Sequence, residues 1–231
     1  MRGIVVFVVL TLSNSPASAE PLFPMTAVQQ AEFAAIGQIS YGGPVGAAIC
    51  TGTLVAPDLV LTAGHCVAPD GDLIQAGDVQ FAAGWRAGSS VAVRHGDEII
   101  LARLPQGQTR SLPQDMALIV LDDPIDAKIA APIALVDPDV VADTYTVAGY
   151  RRDAPDVLQG AASCPFLQAE QGVLQLGCGV VSGNSGAPVM VQQNGIWRLA
   201  AVVVAASGNG AEARAYAATP AQDLRQVITD R

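Results

Sequence analysis

Cleavage of an acyl bond by a hydroxyl needs three groups: the hydroxyl itself, a base that takes its proton, and an acid that orients and stabilises the base. Only two imidazoles, His65 and His95, are available as bases in this chain. His65 follows Leu59-Val60-Leu61-Thr62-Ala63-Gly64, an apolar run that reads as a strand and its end, and it precedes Cys66. Asp115 stands 50 residues further on, directly before the apolar run Met116 to Leu121, so a carboxylate sits at the mouth of a buried strand. Ser185 lies 70 residues beyond that, in Gly183-Asn184-Ser185-Gly186-Ala187-Pro188, a turn whose glycines let backbone N–H groups converge. Taken singly, each has a plainer explanation: a histidine beside a cysteine is commonly structural, an aspartate before a strand forms turns, and Gly-Asn-Ser-Gly is a frequent loop. Chemistry requires that the fold gather them. His95 reads as a strand-end or surface histidine. A different acyl-transfer arrangement, the G-x-S-x-G elbow of α/β hydrolases, is only loosely matched, because Ala187 breaks the motif, the serine comes last, and no alternation of strands and helices surrounds it.

The elements that would position these residues read as strands. Short apolar runs broken by turn residues extend from Ile36 to Val67: Ile36 to Ile39, a turn at Tyr41-Gly42-Gly43-Pro44, Ala47 to Val55, a turn at Ala56-Pro57-Asp58, and Leu59 to Thr62. Further runs cover Val79 to Trp85, Ser89 to Arg94, Ile99 to Leu101 and, after the polar stretch Pro105 to Gln114, Met116 to Leu121. About six strands of this kind close a small barrel. Residues 122–139, with Pro124, Pro132 and Pro138, read as a connector rather than packed structure. Strand-like runs resume at Tyr145 to Tyr150, Gly172 to Leu176, Ala187 to Val191, Ile196 to Ala206 and Ala213 to Ala218. Thr219-Pro220 then predicts a helix start, with Leu224, Val227 and Ile228 at helical spacing and packed on a second barrel. The expected organisation is residues 36–122 as an N-terminal barrel carrying His65 and Asp115, 123–143 as a connector, and 144–231 as a C-terminal barrel with Ser185 and the terminal helix.

Residues 1–19 have the make-up of a secretory signal peptide: Arg2 supplies a positive charge, Gly3 to Leu12 an apolar stretch too short to span a bilayer, and Ala17-Ser18-Ala19 a small-x-small cleavage site. A secreted or periplasmic location without a membrane anchor is expected, with residues 20–35 either a pro-segment or an N-terminal extension. Such a compartment lets thiols pair. Four cysteines, Cys50, Cys66, Cys164 and Cys178, allow three full pairings, of which sequence proximity favours Cys50–Cys66 and Cys164–Cys178. Each of those would close a loop worth about 3 kcal/mol in the chain-entropy model. No C-x-x-C occurs, no compact carboxylate cluster suits calcium, and neither a metal nor another cofactor is expected. The net charge of −9, with a single lysine, Lys128, argues against a nucleic-acid footprint. With 51% hydrophobic but only 5% aromatic residues, 23 Gly and 15 Pro, the chain is neither disordered nor a helical bundle.

Three segments together resemble the chymotrypsin-like (trypsin-like) serine peptidases. Thr62-Ala63-Gly64-His65-Cys66 is similar to that family's T-A-[AG]-H-C, Asp115-Met116-Ala117-Leu118 to its D-[IL]-A-L, and Gly183 to Pro188 to its G-D-S-G-G-P, in the family's order His, Asp, Ser. The spacings of Cys50–Cys66 and Cys164–Cys178 match bridges of family members. The resemblance covers about residues 36 to 230. It implies an all-β fold of two six-stranded antiparallel barrels with a short C-terminal helix, and hydrolysis of peptide bonds through an acyl-enzyme. By the same resemblance Ser185 is the nucleophile, His65 the general base and then acid, Asp115 the residue holding the imidazole tautomer, and the backbone N–H groups of Gly183 and Ser185 the oxyanion hole. The partner implied is a peptide or protein substrate, and the enzyme is expected to be a monomer. A catalytically inactive, protease-like binding module is the competing function, against which the intact His65, Asp115, Ser185 and Gly183 count.

The chain departs from the digestive enzymes of that family at position 184, where Asn replaces the Asp that pairs with a newly released amino terminus. The nearest match to their Ile-Val-Gly-Gly is Ala35-Ile36-Gly37-Gln38. In this it is more similar to the bacterial branch with G-N-S-G, which includes the glutamyl endopeptidases. By position relative to Ser185, Gly179 would lie at the base of the primary pocket and Val204, Ala205 and Ala206 along one wall. With no acid at the base, the resemblance implies no trypsin-like preference for Lys or Arg. Arg214, two residues before Tyr216, would project toward the back of the pocket and select an acidic side chain, whereas with Arg214 turned to solvent the pocket would suit small apolar side chains. No histidine lies between Val202 and Ser207, where glutamyl endopeptidases have theirs.

Overall fold

The computed structural model describes residues 19–42, 50–104, 109–137 and 140–231. The signal-peptide reading of residues 1–18, the turn at Gly43-Pro44, the start of the strand at Ala47, and Pro138 lie outside those residues. Among the described residues no helix is long and apolar enough to cross a membrane.

The chain begins with two short strands, β1 (Glu20–Pro21) and β2 (Phe23–Pro24), and the helix α1 (Ala27–Glu32). Thr26 and Gln29 cap that helix reciprocally, the Thr26 hydroxyl accepting from the Gln29 N–H and the Gln29 side chain accepting from the Thr26 N–H. The first barrel follows: β3 (Ile36–Tyr41), β4 (Cys50–Ala56), β5 (Leu59–Ala63), β6 (Val79–Ala83), β7 (Ala92–Leu101) and β8 (Met116–Leu121). Antiparallel pairing closes it in the order β3-β4-β5-β8-β7-β6. Every residue of β4, β5 and β8 is buried, which is why these segments read as uninterrupted apolar runs. The separate runs Ser89 to Arg94 and Ile99 to Leu101 are joined in the single strand β7, which bends at a register shift between Gly96 and Glu98 where it crosses β8.

The second half contains β9 (Thr144–Arg151), β10 (Ala154–Glu170), β11 (Val173–Leu176), β12 (Cys178–Gly179), β13 (Pro188–Gln193), β14 (Ile196–Ser207), β15 (Arg214–Ala218) and the helix α2 (Gln222–Thr229). Six of these strands form a ring in the order β11-β15-β14-β13-β9-β10, closed by pairing of β10 with β11, and β2 adds to the flank of β10. The expected pair of six-stranded antiparallel barrels with a short terminal helix is therefore the architecture observed. Cys50–Cys66 and Cys164–Cys178 are disulfide-bonded, the pairing that proximity favours.

Three local expectations are corrected. The described part of the connector is packed: Ile125, Ala130, Ile133 and Val136 are buried, and backbone bonds tie Ile125 to Pro57, Ile133 to Leu54 and Val136 to Leu199. Thr219 does not cap the last helix, because both its N–H and its hydroxyl donate to the Gly172 carbonyl, and the helix starts after Ala221 instead. That helix lodges Leu224, Val227 and Ile228 in the apolar cluster shared by both barrels, not on the second alone.

Residues 20–35 are woven into both halves. β1 runs parallel to β12, β2 pairs with β10, and Phe33, buried to 4% exposure, packs its ring 5.3 Å from Trp197, whose indole N–H donates to Glu32. Phe33→Ala is expected to lower the unfolding free energy by about 3 kcal/mol, read as a lower thermal midpoint, since a buried ring of this size leaves a cavity that rigid strands cannot close.

Candidate active site

The two strands that flank His65 and Asp115 are neighbours in the barrel. β5 and β8 pair in antiparallel register with Ala63 opposite Met116, so the residues just beyond the end of β5 and just before the start of β8 meet at one rim. His65 lies in a short helical turn at Gly64–Cys66, and Asp115 ends another at Leu112–Gln114. The Asp115 carboxylate accepts twice from His65: Oδ1 from the backbone N–H at 2.8 Å, and Oδ2 at 2.6 Å from ring Nδ1. A carboxylate only accepts, so Nδ1 carries the proton and a neutral ring keeps its lone pair on Nε2. The Asp115 side chain is 10% exposed while that of His65 is 42% exposed, leaving the free edge of the imidazole open to an incoming molecule.

Ser185 comes from the other barrel, in the loop between β12 and β13, and three contacts bring it to the same rim. Its carbonyl accepts from the Thr51 N–H at 2.8 Å. Thr51 follows Cys50, which is bonded to Cys66 beside His65. Gly186 has φ +82°, and a Cβ there would stand 2.0 Å from the Thr51 carbonyl oxygen and 2.3 Å from the Thr62 hydroxyl, so only glycine lets the loop sit this close to β4 and β5. No hydrogen bond links the Ser185 hydroxyl to the His65 ring in this arrangement; such contacts tighten on substrate binding in many enzymes.

The loop around Ser185 divides its backbone donors into two sets. The N–H groups of Asn184, Gly186 and Ala187 are bonded to the carbonyls of Val181, Val203 and Asn184. Those of Gly183 and Ser185 have no protein acceptor among the described residues. An unpaired N–H on the buried Gly183 carries a free-energy cost unless a ligand or water meets it, so a pair of them flanking a serine is a ready anion cradle. Asn184 is fully buried: its Oδ1 accepts from the Val181 N–H at 2.8 Å and its Nδ2 donates to the Tyr150 carbonyl at 2.9 Å.

This combination of site and fold has known relatives. The family model described as trypsin matches residues 25–228. The chain belongs to the trypsin family. A glutamyl endopeptidase of Bacillus licheniformis is 29% identical over 149 residues, which are 63% of this chain and 46% of that relative; the chain thus matches about half the relative's length. A solved structure described as a Glu endopeptidase in complex with MPD superposes with a TM-score of 0.72 at 21% identity, covering 94% of this chain and 98% of that one.

Within this trypsin-family chain the residues read as a primary pocket are distributed as follows. Gly179 pairs with Pro21, so β1 lies against it, and a Cβ there would be 3.8 Å from Glu20 O. Val204 is buried in the shared core cluster at a register shift of β14. Ala205 is opposite Tyr216, and Ala206 opposite Ala215. Arg214 is opposite Ser207 and, by the two-residue period of β15, shares a face with Tyr216, whose hydroxyl lies 3.1 Å from that of Ser207. Arg214 is partly buried, and its guanidinium bonds through Nη1 to the carbonyls of Ala211 and Ala213, with no carboxylate within 4.0 Å among the described residues. Sequence reasoning missed Thr51, an unremarked hydroxyl in an apolar strand. It also missed a cavity of about 370 Å³ lined by Leu112, Pro113, Gln168, Glu170, Gln175 and Tyr216, whose walls come from segments far apart in the chain.

Proposed function

We propose that this chain is a serine endopeptidase that cleaves peptide bonds after acidic side chains through an acyl-enzyme on Ser185. The observation that carries the reading is the pair of unaccepted N–H groups on Gly183 and Ser185, beside the hydroxyl and on the rim where the Asp115-held imidazole opens. In the reaction the Ser185 oxygen attacks the substrate carbonyl carbon while His65 Nε2 takes its proton. The carbonyl oxygen gains the negative charge and accepts from the two N–H groups, a contribution of about 3 to 4 kcal/mol per donor. Collapse breaks the C–N bond, and His65 gives the proton to the departing amine. Water then repeats the sequence to release the acid. Asp115 keeps the ring in the tautomer that accepts at Nε2 and stabilises the imidazolium between steps.

Acidic specificity is supported by Arg214 and by the relative described as a glutamyl endopeptidase. The guanidinium of Arg214, a partly buried residue, has no protein acceptor for Nε and Nη2 among the described residues and is suited to a bidentate carboxylate. Export by a signal peptide at residues 1–19 and action as a monomer on extracellular protein substrates accompany the proposal. Its test is a panel of chromogenic peptides differing only at the residue before the cut. Cleavage after Glu or Asp is expected, with kcat/KM for those peptides falling about 100-fold in Arg214→Ala while any slower cleavage after Ala stays within about threefold. Cleavage after Ala or Leu but not Glu or Asp removes the acidic preference and leaves the small-apolar pocket.

A further inference from the structure

In a planar trans peptide the C=O and N–H point in opposite directions, so holding a carbonyl aims the amide hydrogen behind it. Four successive peptides surround Ser185, and each carbonyl in turn is held. Ser182 O accepts from the Arg152 N–H at 2.9 Å, Gly183 O from the Thr51 hydroxyl at 2.9 Å, Asn184 O from the Ala187 N–H at 2.9 Å, and Ser185 O from the Thr51 N–H at 2.8 Å. The first and third of these peptides present the unaccepted N–H groups of Gly183 and Ser185. The second and fourth, which join and flank them, are both held by Thr51.

Thr51 is fully buried, and its hydrogen-bonding groups are all engaged. Besides donating to Gly183 O, its hydroxyl accepts from the Tyr150 N–H at 2.9 Å, and its carbonyl accepts from the Thr62 hydroxyl at 2.8 Å. It thus ties together the second strand of the first barrel, the end of β9 and the Ser185 loop, one residue from the disulfide that leads to His65. Asn184 secures the same loop through Val181 and Tyr150. Both polar atoms of Asn184 are thus engaged within the protein, and Ile36 is fully buried within β3.

We infer that Thr51 is a positioning residue which, by holding from the opposite barrel the carbonyls of the peptides that join and flank those bearing the Gly183 and Ser185 N–H groups, keeps the two backbone donors in place for the oxyanion. The inference rests on the proposed roles of Ser185 and those donors. Thr51 acts through the loop and touches no reacting atom. Thr51→Val keeps the shape and deletes the hydroxyl, leaving Gly183 O and Tyr150 N unpaired; Thr51→Ser restores the hydroxyl.

The experiment measures kcat and KM on one peptide, together with inhibition by a peptide aldehyde, whose hemiacetal oxygen occupies the oxyanion position. Thr51→Val is expected to lose about 30-fold in kcat, a fraction of what deleting an oxyanion donor outright costs, with KM within about threefold and aldehyde affinity weakened in parallel with kcat. Thr51→Ser is expected to stay within about threefold of the parent in all three. Should Thr51→Val not fold, Thr51→Ala, which leaves room for water, carries the same comparison. Equal losses in the serine and valine (or alanine) variants, or a loss confined to KM, overturn the inference. A parent chain that hydrolyses peptides through Ser185 while Thr51→Val matches it also defeats the inference and leaves the proposed function standing; a parent that forms no Ser185 adduct defeats the proposed function itself.

Discussion

Replacing His65 with Ala is expected to lower kcat about 10⁶-fold, with KM changed little. The magnitude follows from the arrangement of groups at the rim. A serine hydroxyl is a weak nucleophile unless its proton has somewhere to go as the C–O bond forms, and among the described residues the two histidines are the only imidazoles. His95 cannot substitute: it sits on β7 opposite Gln80, its ring Nδ1 bonded to the Gly77 carbonyl in the short helical turn before β6. The residual rate would come from the two backbone donors and from substrate binding, which the substitution leaves in place. Kinetics on the best peptide of the panel measure it, and retention of more than about one part in a thousand of kcat would require another base.

Asp115→Asn is expected to cost about 10⁴-fold in kcat with the fold intact. Both carboxylate oxygens accept from the same residue, Oδ1 from the His65 backbone N–H and Oδ2 from its ring. An asparagine must place its oxygen on one and its NH₂ on the other. The backbone N–H cannot invert its role, so the amide oxygen stays with it and the NH₂ faces Nδ1, turning Nδ1 into an acceptor and moving the ring proton to Nε2. That tautomer cannot accept the Ser185 proton. The change is isosteric, so thermal unfolding should shift far less than activity does, and a variant within tenfold of the parent would mean that Asp115 does not set the tautomer.

The residues of this site were legible because each sits in a local motif with a mechanical reason: a histidine at a strand end beside a bridged cysteine, an aspartate before a buried strand, a serine between glycines. The first barrel was legible for a related reason, since β4, β5 and β8 are buried on both faces and spell continuous apolar runs. β10 was not. Its 17 residues include Pro155, Gly160 and Pro165, which argue against one long strand, yet a register shift between Ala154 and Gln159 takes up Pro155, while Gly160 and Pro165 stay paired with Ala148 and Thr144, and the strand serves β9, β2 and β11. Residues 20–35 were open between a removable segment and an extension, because their partners β10, β12 and Trp197 lie more than a hundred residues away. Thr51 escaped notice on the same ground. A threonine in a strand signals nothing locally; its hydrogen bonds exist only once the two barrels face each other.

The central claim is that His65 activates the hydroxyl of Ser185 for attack. It is tested most directly by treating the folded chain with a fluorophosphonate probe and locating the adduct by peptide mass spectrometry. A single adduct on Ser185, absent from His65→Ala and strongly slowed in Asp115→Asn, is the predicted result. A chain that folds with both disulfides formed yet takes no adduct, or that is labelled equally well without His65, would contradict it.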